Sequence, residues 1–462
     1  MQKKFLNIGA LALLQIVILG NMQIVPANAV YGLSLPFLFS LAILCFYVPC
    51  VLMVAELATT HPQTGGAYIW CEKAFGAKVG FCAVTLLWIA NLLWYPSIFS
   101  LVASNFAYLF NPELAQNKTF VMIFSLVLFW SFTLLNCTGI RMSSTISMWC
   151  SVFGIIMPML LIIICGLFWW LSGKPLAIST QNTPLVPDLL HLNNLGYLIS
   201  IIMTMFGIEL TAVHAGNVVN PKRDYPISLL ISSIATLGLL FLSALAIAAI
   251  IPSDKLSIVT GLLDSLTIFF HQAGLDKVAI FILFLIFIGN IGSVAAWMLG
   301  STRGIYVAAQ HNHVASFLQK INKYESPVGV LIFEAIIFTL ASGVFLLFSQ
   351  VTNTFWLLLD LASQVTLIYY IILFISAIRL RYLPTEAPGF QIPGGKIIIW
   401  ALMGLGACTS LLSLCIGFIP PANLNSHEIF LFHLVMSIGL IISICLPFVF
   451  FLFKEKTTQH IH

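Results

Sequence analysis

The chain has 462 residues, of which 60% are hydrophobic and 7% are charged, and its mean hydropathy is +1.05. A soluble domain carries about a quarter charged residues, so this composition excludes a soluble globular protein and indicates a polytopic membrane protein. The formal net charge of +4 reflects the placement of Lys and Arg about the membrane and gives no sign of nucleic-acid binding.

Long charge-free stretches divide the chain into twelve predicted transmembrane helices. Each gap between charged residues holds one or two helices of the roughly 20 residues that cross a bilayer. The helices are centred near residues 18, 46, 94, 129, 158, 205, 239, 293, 338, 366, 408 and 441. They form a single polytopic domain over residues 1–453, and residues 454–462 are a short cytoplasmic tail.

The distribution of Lys and Arg predicts the orientation of these helices. An even number of helices puts both termini on one side, and the excess of positive charge marks that side as cytoplasmic. On this topology only four of the 19 Lys and Arg residues face outward, namely Lys118, Lys174, Lys255 and Lys277. The strength of the bias supports both the helix count and the cytoplasmic termini.

Two of the predicted helices are interrupted at similar depth. The first, in LLQIVILGNMQIVPANAVYG, is broken by Gly20, Asn21 and Pro26, and the sixth, in LISIIMTMFGIELTAVHAGN, carries Gly207 and Glu209. Gly and Pro free backbone hydrogen-bonding groups, which inside a bilayer must be met by protein, water or substrate. Paired breaks five helices apart indicate a secondary transporter built from two inverted repeats.

These breaks predict an all-α integral membrane fold with a 5+5 inverted repeat. Repeat one covers about residues 6–172 and repeat two about residues 194–380, with helices 1 and 6 broken, and two extra helices occupy about residues 397–453. The half-helices expose amide N–H groups and carbonyls, which suit the carboxylate and ammonium of an amino acid. We expect the substrate to bind the backbone of Asn21, Met22, Gln23 and Ile24 on one side and of Phe206, Gly207 and Ile208 on the other.

Two acids lie outside the breaks, and one of them, Glu56, is expected to be structural. Glu56 ends the second helix and is expected to anchor the following loop through Lys73 or Arg141. Glu334, on the ninth helix, is expected toward the cytoplasmic interface.

Two titratable residues of the sixth helix are candidates for coupling or gating. Glu209 is costly in lipid unless it faces a polar cavity or a partner, so it is a functional candidate by default. The alternative is that it only hydrogen-bonds a neighbouring helix and fixes packing. His214 titrates in the physiological range and either senses acid or serves as a packing residue.

Two polar residues of the tenth helix are further candidates for coupling or gating. Asp360 and Gln364 are four residues apart and therefore share one face of the helix. Asp360 is expected near the outer end of this helix. There it either takes part in coupling or is simply hydrated.

The sequence lacks the motifs of several other protein classes. The ten cysteines show no CxxC pair or Cys/His spacing, so we predict neither a metal site nor a disulfide framework, and no cofactor. An intramembrane enzyme would need a cluster such as HExxH or GxSxG, and neither is present. No ring of charges typical of a channel filter stands out. A receptor that binds an amino acid without moving it stays an alternative.

Three stretches together resemble one family, the amino acid–polyamine–organocation permeases. AELATTHPQTGGAYIWCEKAFG, from Ala55 to Gly76, resembles the family signature after the second helix. FGIELTAVHAGNVVNPKRDYPIS resembles its broken sixth helix and the following turn, and GSTRGIYVAAQHN, from Gly300 to Asn312, resembles the end of its eighth helix. The resemblance covers nearly the whole chain.

Within this family, NPKRDYP, AAWMLGSTRGIYVAAQ, FQIPGGK and FIPPANLN are most similar to the bacterial glutamate/GABA antiporter branch. That resemblance implies an exchanger of the bacterial cytoplasmic (inner) membrane, which imports an acidic amino acid, exports its decarboxylated product, consumes a proton and supports acid resistance. The tail KEKTTQHIH is shorter than the C-terminal plug of that branch. Ser293 stands where the branch implies an acidic residue, and it is a further candidate for coupling or gating.

The resemblance also implies two aromatic residues that occlude the substrate. Trp297 on the eighth helix is similar to a gate aromatic of the branch, and Tyr95 on the third helix is a similar candidate. Packing or interface roles are the alternatives for both. The predicted function is thus amino acid antiport by alternating access; the alternatives are a proton-coupled symporter of another neutral or cationic amino acid, or a receptor. The sequence indicates no oligomeric state.

Overall fold

The computed structural model describes most of the chain. The described residues are 7–20, 22–63, 65–111, 113–137, 149, 152–178, 184–187, 198–253, 255–257, 260–272, 274–310, 316–324, 326–347, 351–384, 389–420 and 424–458. Within these ranges the secondary structure is helical, and no strand is present.

Sixteen α-helices follow one another in the described part of the chain. They are α1 (Ile8–Leu19), α2 (Val25–Ala29), α3 (Leu35–Ala42), α4 (Val48–Thr60), α5 (Ala67–Phe75), α6 (Ala77–Tyr108), α7 (Lys118–Asn136), α8 (Met157–Leu171), α9 (Leu198–Met203), α10 (Pro221–Ile250), α11 (Gly261–Gln272), α12 (Asp276–Ala308), α13 (Val328–Ser342), α14 (Val351–Leu380), α15 (Gly395–Ile416) and α16 (Ser426–Thr458). Two shorter segments contribute to the site: π-helical Ile43–Tyr47 and the 3₁₀ helix Ile208–Asn217.

Nine helical segments among the described residues are long and apolar enough to cross a membrane. They are Gly32–Thr60, Ala77–Tyr108, Lys118–Asn136, Val152–Leu171, Pro221–Ile250, Val328–Leu346, Val351–Leu380, Gly395–Ile416 and Ser426–Phe450. Several apolar spans in one chain confirm the prediction of an all-α, multi-pass membrane protein. The count of twelve and the inverted repeat stay predictions.

The first predicted helix is interrupted after α1. This helix begins where the Asn7 side chain accepts a 2.9 Å hydrogen bond from the Ala10 N–H, which satisfies one of the free amides at a helix start. It ends at Gly20, whose N–H donates to the Ile16 carbonyl over 2.8 Å. The Cβ of any other residue at Gly20 would lie 2.8 Å from that carbonyl oxygen. After the break the chain resumes as a short 3₁₀ turn and then as α2.

The sixth predicted helix is interrupted between α9 and the 3₁₀ helix Ile208–Asn217. Gly207 has φ +103°, in the left-handed region that favours glycine, so the chain can leave helical geometry there at little cost. The predicted centre near residue 205 falls in this turn. The sequence therefore predicted correctly where both helices are interrupted.

The interrupted segments are enclosed by long helices. The most extensive helix contact is between α14 and α6, while α1 packs along α10, and α10 packs along α8. The 3₁₀ helix Ile208–Asn217 contacts both α1 and α4. The first break packs against α6 and α14 through Ile24, Leu101 and Leu359, and the second break shares a cavity with both helices.

One predicted contact of the second helix needs correction. Glu56, at the end of α4, pairs through Oε1 with Arg381 Nη1 at 2.6 Å and accepts the Ile392 N–H at Oε2 over 2.8 Å. Its partner is therefore Arg381 and not Lys73, whose Nζ lies 3.3 Å from His61 Nδ1; the other predicted partner, Arg141, lies outside the described residues. The ends of α4 and α14 are neighbours in the fold, and this brings the two charges together.

Candidate functional site

A cavity of about 60 Å³ lies against the second break, and we call it the main cavity because it adjoins the predicted substrate site; a larger one, of about 190 Å³, lies beside Glu56 and Arg381. Its wall comes from α1, α6, α14 and the break itself. The lining residues are Ile18, Leu87, Ala90, Asn91, Trp94, Met203, Phe206, Gly207, Glu209, Ala362 and Thr366. Phe206 and Gly207 were predicted to bind substrate, and the structure brings them together with Glu209 in one wall.

Tyr370 of α14 bridges the broken backbone and the buried acid. Its hydroxyl accepts the Gly207 N–H over 2.9 Å and donates to Glu209 Oε2 over 2.5 Å. Glu209 is 2% exposed and Tyr370 is fully buried. Amides freed by a helix break must be satisfied inside a membrane protein. Tyr370 satisfies one of them, in the position that a substrate carboxylate was predicted to take.

Aromatic rings pack around this bridge. The Phe46 ring, from the π-helical segment, lies 5.1 Å from the Tyr370 ring and 5.5 Å from the Phe206 ring, measured between centroids. The Phe206 and Tyr370 rings are 5.1 Å apart. Tilted and edge-on pairs at these distances attract one another beyond simple burial. These rings form an apolar shell on one side of the hydrogen bond between Tyr370 and Glu209.

A second cavity of about 30 Å³ adjoins the first. Leu87 and Glu209 line both cavities. The other lining residues of the second cavity are Gly65, Ala67, Tyr68, Val84, Trp88, Leu210, Gly304 and Tyr369. Glu209 therefore stands at the boundary of two separate spaces.

On the third predicted helix, Trp94 lines the main cavity in place of Tyr95, the aromatic residue that was predicted to occlude the substrate. Asn91 and Trp94 line the main cavity, and Asn91 Nδ2 donates to the Leu87 carbonyl over 2.9 Å. Tyr95 does not line it; its ring lies 5.6 Å from that of Phe129 in a buried cluster. One residue along a helix is a rotation of about 100°, which turns Tyr95 away from the cavity.

Residues of the first break lie close to the main cavity without lining it. Ile24 is buried in a cluster with Met203 and Trp94. Met22 lines a small separate cavity of about 10 Å³, together with Asn105 of α6. Among the other predicted residues, Ile208 is fully buried, Asn21 lies outside the described residues, and so does the side chain of Gln23.

A short helix covers this small cavity. Leu262 and Leu263 of α11 line it. Tyr108, the last residue of α6, donates to Asp264 Oδ1 over 2.7 Å, and Thr260 donates to Asp264 Oδ2 over 2.7 Å. Asp264 thus fastens α11 over the first break.

The predicted pair on the tenth helix faces away from the main cavity. Ala362 and Thr366 line the cavity, while Asp360 and Gln364 each lie two positions earlier, a rotation of about 200° around the helix. Asp360 is 5% exposed, which does not fit the alternative in which it is simply hydrated. Gln364 is fully buried and its Nε2 packs so close to Gly417 that a Cβ there would lie 1.5 Å away.

Three predicted residues are described only through their backbone. His214 lies in the 3₁₀ helix Ile208–Asn217, and Ser293 and Trp297 lie in α12. Their side chains fall outside the described part of the structure. Their assignment to gating or occlusion stays a prediction.

Sequence reasoning missed Tyr370, Trp94 and Trp88. A usable signal existed for Tyr370, because Ala362, Thr366 and Tyr370 recur at intervals of four and so share one face of α14. Glu334 was expected toward the cytoplasmic interface, which stays a prediction; in the structure it is fully buried and accepts a hydrogen bond from Trp88 Nε1 over 2.7 Å. No sequence pattern linked these two residues.

Comparison with known proteins identifies the family. The model of a family described as amino acid permease matches residues 5–442. An uncharacterized transporter of Legionella pneumophila is 37% identical over 449 residues, which cover 97% of each chain. A glutamate/gamma-aminobutyrate antiporter of Lactococcus lactis is 26% identical over 464 residues, 98% of this chain and 92% of the relative. A probable agmatine/putrescine antiporter of Lactococcus lactis is 26% identical over 396 residues, 85% of this chain and 83% of the relative.

The family match includes both breaks and the main cavity. It covers every apolar span completely except the last one, Ser426–Phe450, which it covers in part. It confirms the resemblance to amino acid–polyamine–organocation permeases that the sequence motifs indicated. The chain therefore belongs to the amino acid permease family of that superfamily, and it is an amino acid transporter rather than an enzyme.

Proposed function

We propose that this transporter is an antiporter that works by alternating access, exchanging glutamate for its decarboxylation product GABA and running faster in acid. On this proposal it lies in the bacterial inner membrane with both termini in the cytoplasm, and it consumes a proton in each exchange. The similarity to a glutamate/gamma-aminobutyrate antiporter over 98% of the chain supports the choice of substrates.

The observation that carries the proposal is the charge of the main cavity. Among the residues that line it, Glu209 is the one with an ionisable side chain, and the rest of the wall is apolar or neutral. A glutamate side chain that enters such a space is easier to carry with its proton, because a buried anion without a cation is strongly disfavoured. Transport of glutamate would therefore bring in a proton and be favoured in acid.

The size of the cavity supports alternating access. About 60 Å³ accommodates a few water molecules but not an amino acid. Substrate must therefore displace bulky side chains, and Trp94 and Phe206 are the aromatic residues in the wall. We propose that their movement opens the cavity and that their return closes it over the substrate.

A cationic substrate is the second candidate. Because Glu209 is an acid, an ionised carboxylate there would attract an amine or guanidinium group. The similarity to a probable agmatine/putrescine antiporter over 85% of the chain points in the same direction. The two candidates differ in pH dependence, since a cationic substrate gains from an ionised Glu209 and therefore favours neutral pH.

Counterflow in proteoliposomes tests the proposal. The purified protein is reconstituted, the lumen is left empty or loaded with GABA, glutamate, agmatine, arginine or a neutral amino acid, and uptake of labelled glutamate is measured at acidic and neutral pH. We expect uptake only into vesicles loaded with glutamate or GABA, and mainly in acid. Equal rates at both pH values would contradict the protonated-substrate argument.

The remaining outcomes separate the alternatives. Uptake into empty vesicles, driven by a proton or sodium gradient, would replace antiport with symport. Counterflow of arginine or agmatine without glutamate would select the cationic candidate. Binding without movement of any of these compounds would indicate a receptor.

A further inference from the structure

A second buried acid lies outside the main cavity. Glu334, in the middle of α13, is fully buried. Its Oε1 accepts a hydrogen bond from Trp88 Nε1 of α6 over 2.7 Å. Both of its oxygens lie 3.1 Å from Thr302 Oγ1 of α12. The Glu334 carboxyl thus joins three helices at one point.

The indole N–H of Trp88 is the main hydrogen-bond donor to Glu334. Thr302 Oγ1 also lies 2.6 Å from the Met298 carbonyl, and a hydroxyl donates its one proton to a single acceptor at a time. In the described part of the chain the ion pairs join His271 to Asp276 and Arg381 to Glu56, and Glu334 is in neither. Glu334 is therefore held by neutral groups, with Trp88 as its main donor.

Stability alone does not explain an acid at this position. A buried acid is costly to desolvate, and well-packed apolar side chains of similar volume are often as stabilising or more so. Leu and Ile are common on the same helix, as in VLIFEAIIF. What a carboxyl provides and an apolar side chain does not is a directed acceptor for the Trp88 N–H.

That hydrogen bond fixes the plane of the Trp88 ring. The ring is held at its edge by Glu334 and on its face by Phe333, which stacks on it at 5.7 Å with an interplanar angle of 20°. Trp88 is 1% exposed and lines the second cavity. Gly304, two residues after Thr302 on α12, lines the same cavity. Glu334 therefore contacts two walls of the second cavity, at Trp88 of α6 and at Thr302 of α12, without lining the cavity itself.

The second cavity is displaced from the main cavity in one direction along the bundle. On α6 the wall moves from Trp94 to Trp88, toward the start of that helix. On α14 it moves from Thr366 to Tyr369, toward the end of that helix. The predicted topology puts this side in the cytoplasm. A substrate that passes Glu209 toward the cytoplasm would meet the Trp88 wall next.

We propose that Glu334 is a positioning residue for transport, which holds Trp88 as the wall of the second cavity on the cytoplasmic side of Glu209. The inference rests on the proposed function in that it assumes an amino acid passes this wall. Glu334 itself touches no substrate. Its effect is transmitted through the Trp88 N–H.

The test compares replacements that keep or remove the acceptor. Glu334→Gln keeps an oxygen for the Trp88 N–H, and Glu334→Leu removes it at similar volume. We expect exchange in Glu334→Gln to stay near that of the unaltered protein at every pH. In Glu334→Leu we expect turnover to fall about tenfold, as for loss of one buried hydrogen bond, with little change in half-saturation. A changed pH profile in Glu334→Gln would overturn the proposal and make Glu334 a proton carrier.

A double replacement tests whether the effect passes through Trp88. Trp88→Phe should lower turnover as Glu334→Leu does, and the double variant should be no slower than either single variant, because both remove the same interaction. Additive losses would contradict the proposal. Thr339→Val is the matched control: it removes the acceptor of another indole, Trp130 Nε1 at 3.2 Å, on the exposed face of the same helix, and should not change exchange.

A spectroscopic measurement separates this inference from the proposed function. The fluorescence of Trp88 is obtained as the difference between each protein and its Trp88→Phe counterpart, and it requires no transport. We expect acrylamide to quench this signal more in Glu334→Leu than in Glu334→Gln. Equal quenching would overturn the positioning role even if exchange is observed. Failure of every counterflow experiment would refute the proposed function and leave the quenching result standing.

Discussion

The Tyr370 hydroxyl donates a 2.5 Å hydrogen bond to Oε2 of Glu209 and at the same time accepts the N–H of Gly207. One side chain of α14 thus satisfies an amide of the broken helix and the acid beside it. The predictions for Tyr370 and Glu209 depend on which of these two partners Tyr370 gives up when substrate binds.

Removing the Tyr370 hydroxyl should tighten substrate binding. In Tyr370→Phe the Gly207 N–H has lost its acceptor, and an unsatisfied buried N–H costs about 1–3 kcal/mol. A substrate carboxylate would relieve that cost. We expect the half-saturating substrate concentration in counterflow to fall by about tenfold, which corresponds to ~1.4 kcal/mol.

The neighbouring tyrosine is the control for this prediction. Tyr369 is equally buried, but it lines the second cavity, and its hydroxyl makes no hydrogen bond in the structure. Tyr369→Phe should therefore leave half-saturation near its original value. Weaker binding in Tyr370→Phe than in Tyr369→Phe would show that the hydroxyl serves the substrate directly.

Neutralising Glu209 should reduce the pH dependence of exchange to the part that comes from protonation of the substrate. Glu209→Gln retains an oxygen that can accept from Tyr370 but cannot release or take up a proton. If Glu209 couples proton to substrate movement, the ratio of rates at acidic and neutral pH should fall, while protonation of the substrate side chain keeps it above one. Glu113→Gln alters an exposed acid in the same way and should keep the original ratio. A ratio preserved in Glu209→Gln would assign Glu209 to packing.

Loosening α11 should open the space beneath it. Asp264→Ala removes the acceptor of Tyr108, so α11 loses its hydrogen bond to the end of α6 as well as the local hydrogen bond from Thr260. A cysteine at Asn105, in the small cavity below, should then react faster with a maleimide reagent that cannot cross the membrane. Ile268→Ala, at an exposed position of the same helix, is the comparison. Equal labelling in both backgrounds would show that Asp264 does not hold the cover closed.

His61 should stay neutral well into the acid range. Partial burial, together with the positive charge of Lys73 at 3.3 Å, lowers the pKa of His61 from its ordinary 6.5 to about 4. Because the folded state takes up this proton less readily than the unfolded state, the contribution of His61 to stability is present above pH 6.5 and is lost as pH falls toward 4.

The titration of His61 is measurable by NMR on ring-labelled histidine. The resonance that disappears in His61→Gln should titrate near pH 4. Lys73→Gln removes the nearby charge and should move its midpoint upward. A midpoint near 6.5 in the unaltered protein would contradict both the burial and the charge effect.

The ion pair between Glu56 and Arg381 should matter for stability mainly because losing one partner leaves the other charge uncompensated. The two side chains are 9% and 13% exposed. Removing one partner leaves a charge without compensation, so Glu56→Gln should lower the free energy of unfolding by about 3 kcal/mol. Replacing both with Met should cost less than either single change. Thermal unfolding in detergent would measure the stability of the single and double variants. A double variant less stable than either single variant would refute this prediction.

The sequence was sufficient to locate the breaks but not to orient the helices around them. Gly207 and Glu209 stand out because glycine and an acid are unusual in an apolar run. The choice between Trp94 and Tyr95 depends on a rotation of about 100° that an almost uniformly apolar helix does not specify. The same holds for Tyr369 and Tyr370.

The sequence also could not predict contacts between residues that are far apart along the chain. Arg381 lies 325 residues from Glu56, and Glu334 lies 246 residues from Trp88. Nothing local in either stretch selects the partner, because the pairing follows from which helix ends and faces the fold places side by side. Lys73, close to Glu56 in sequence, was the natural but incorrect choice.

The two hydrogen bonds of the Tyr370 hydroxyl affect how tightly the two directions of transport are linked. By occupying the Gly207 amide, the hydroxyl acts as an internal stand-in for cargo, and the empty protein has a satisfied, closed conformation of its own. A carrier that can close while empty can also return while empty, which lets one substrate move without the other. Any slow uptake into empty vesicles that accompanies exchange should therefore depend on this phenol and be lower in Tyr370→Phe.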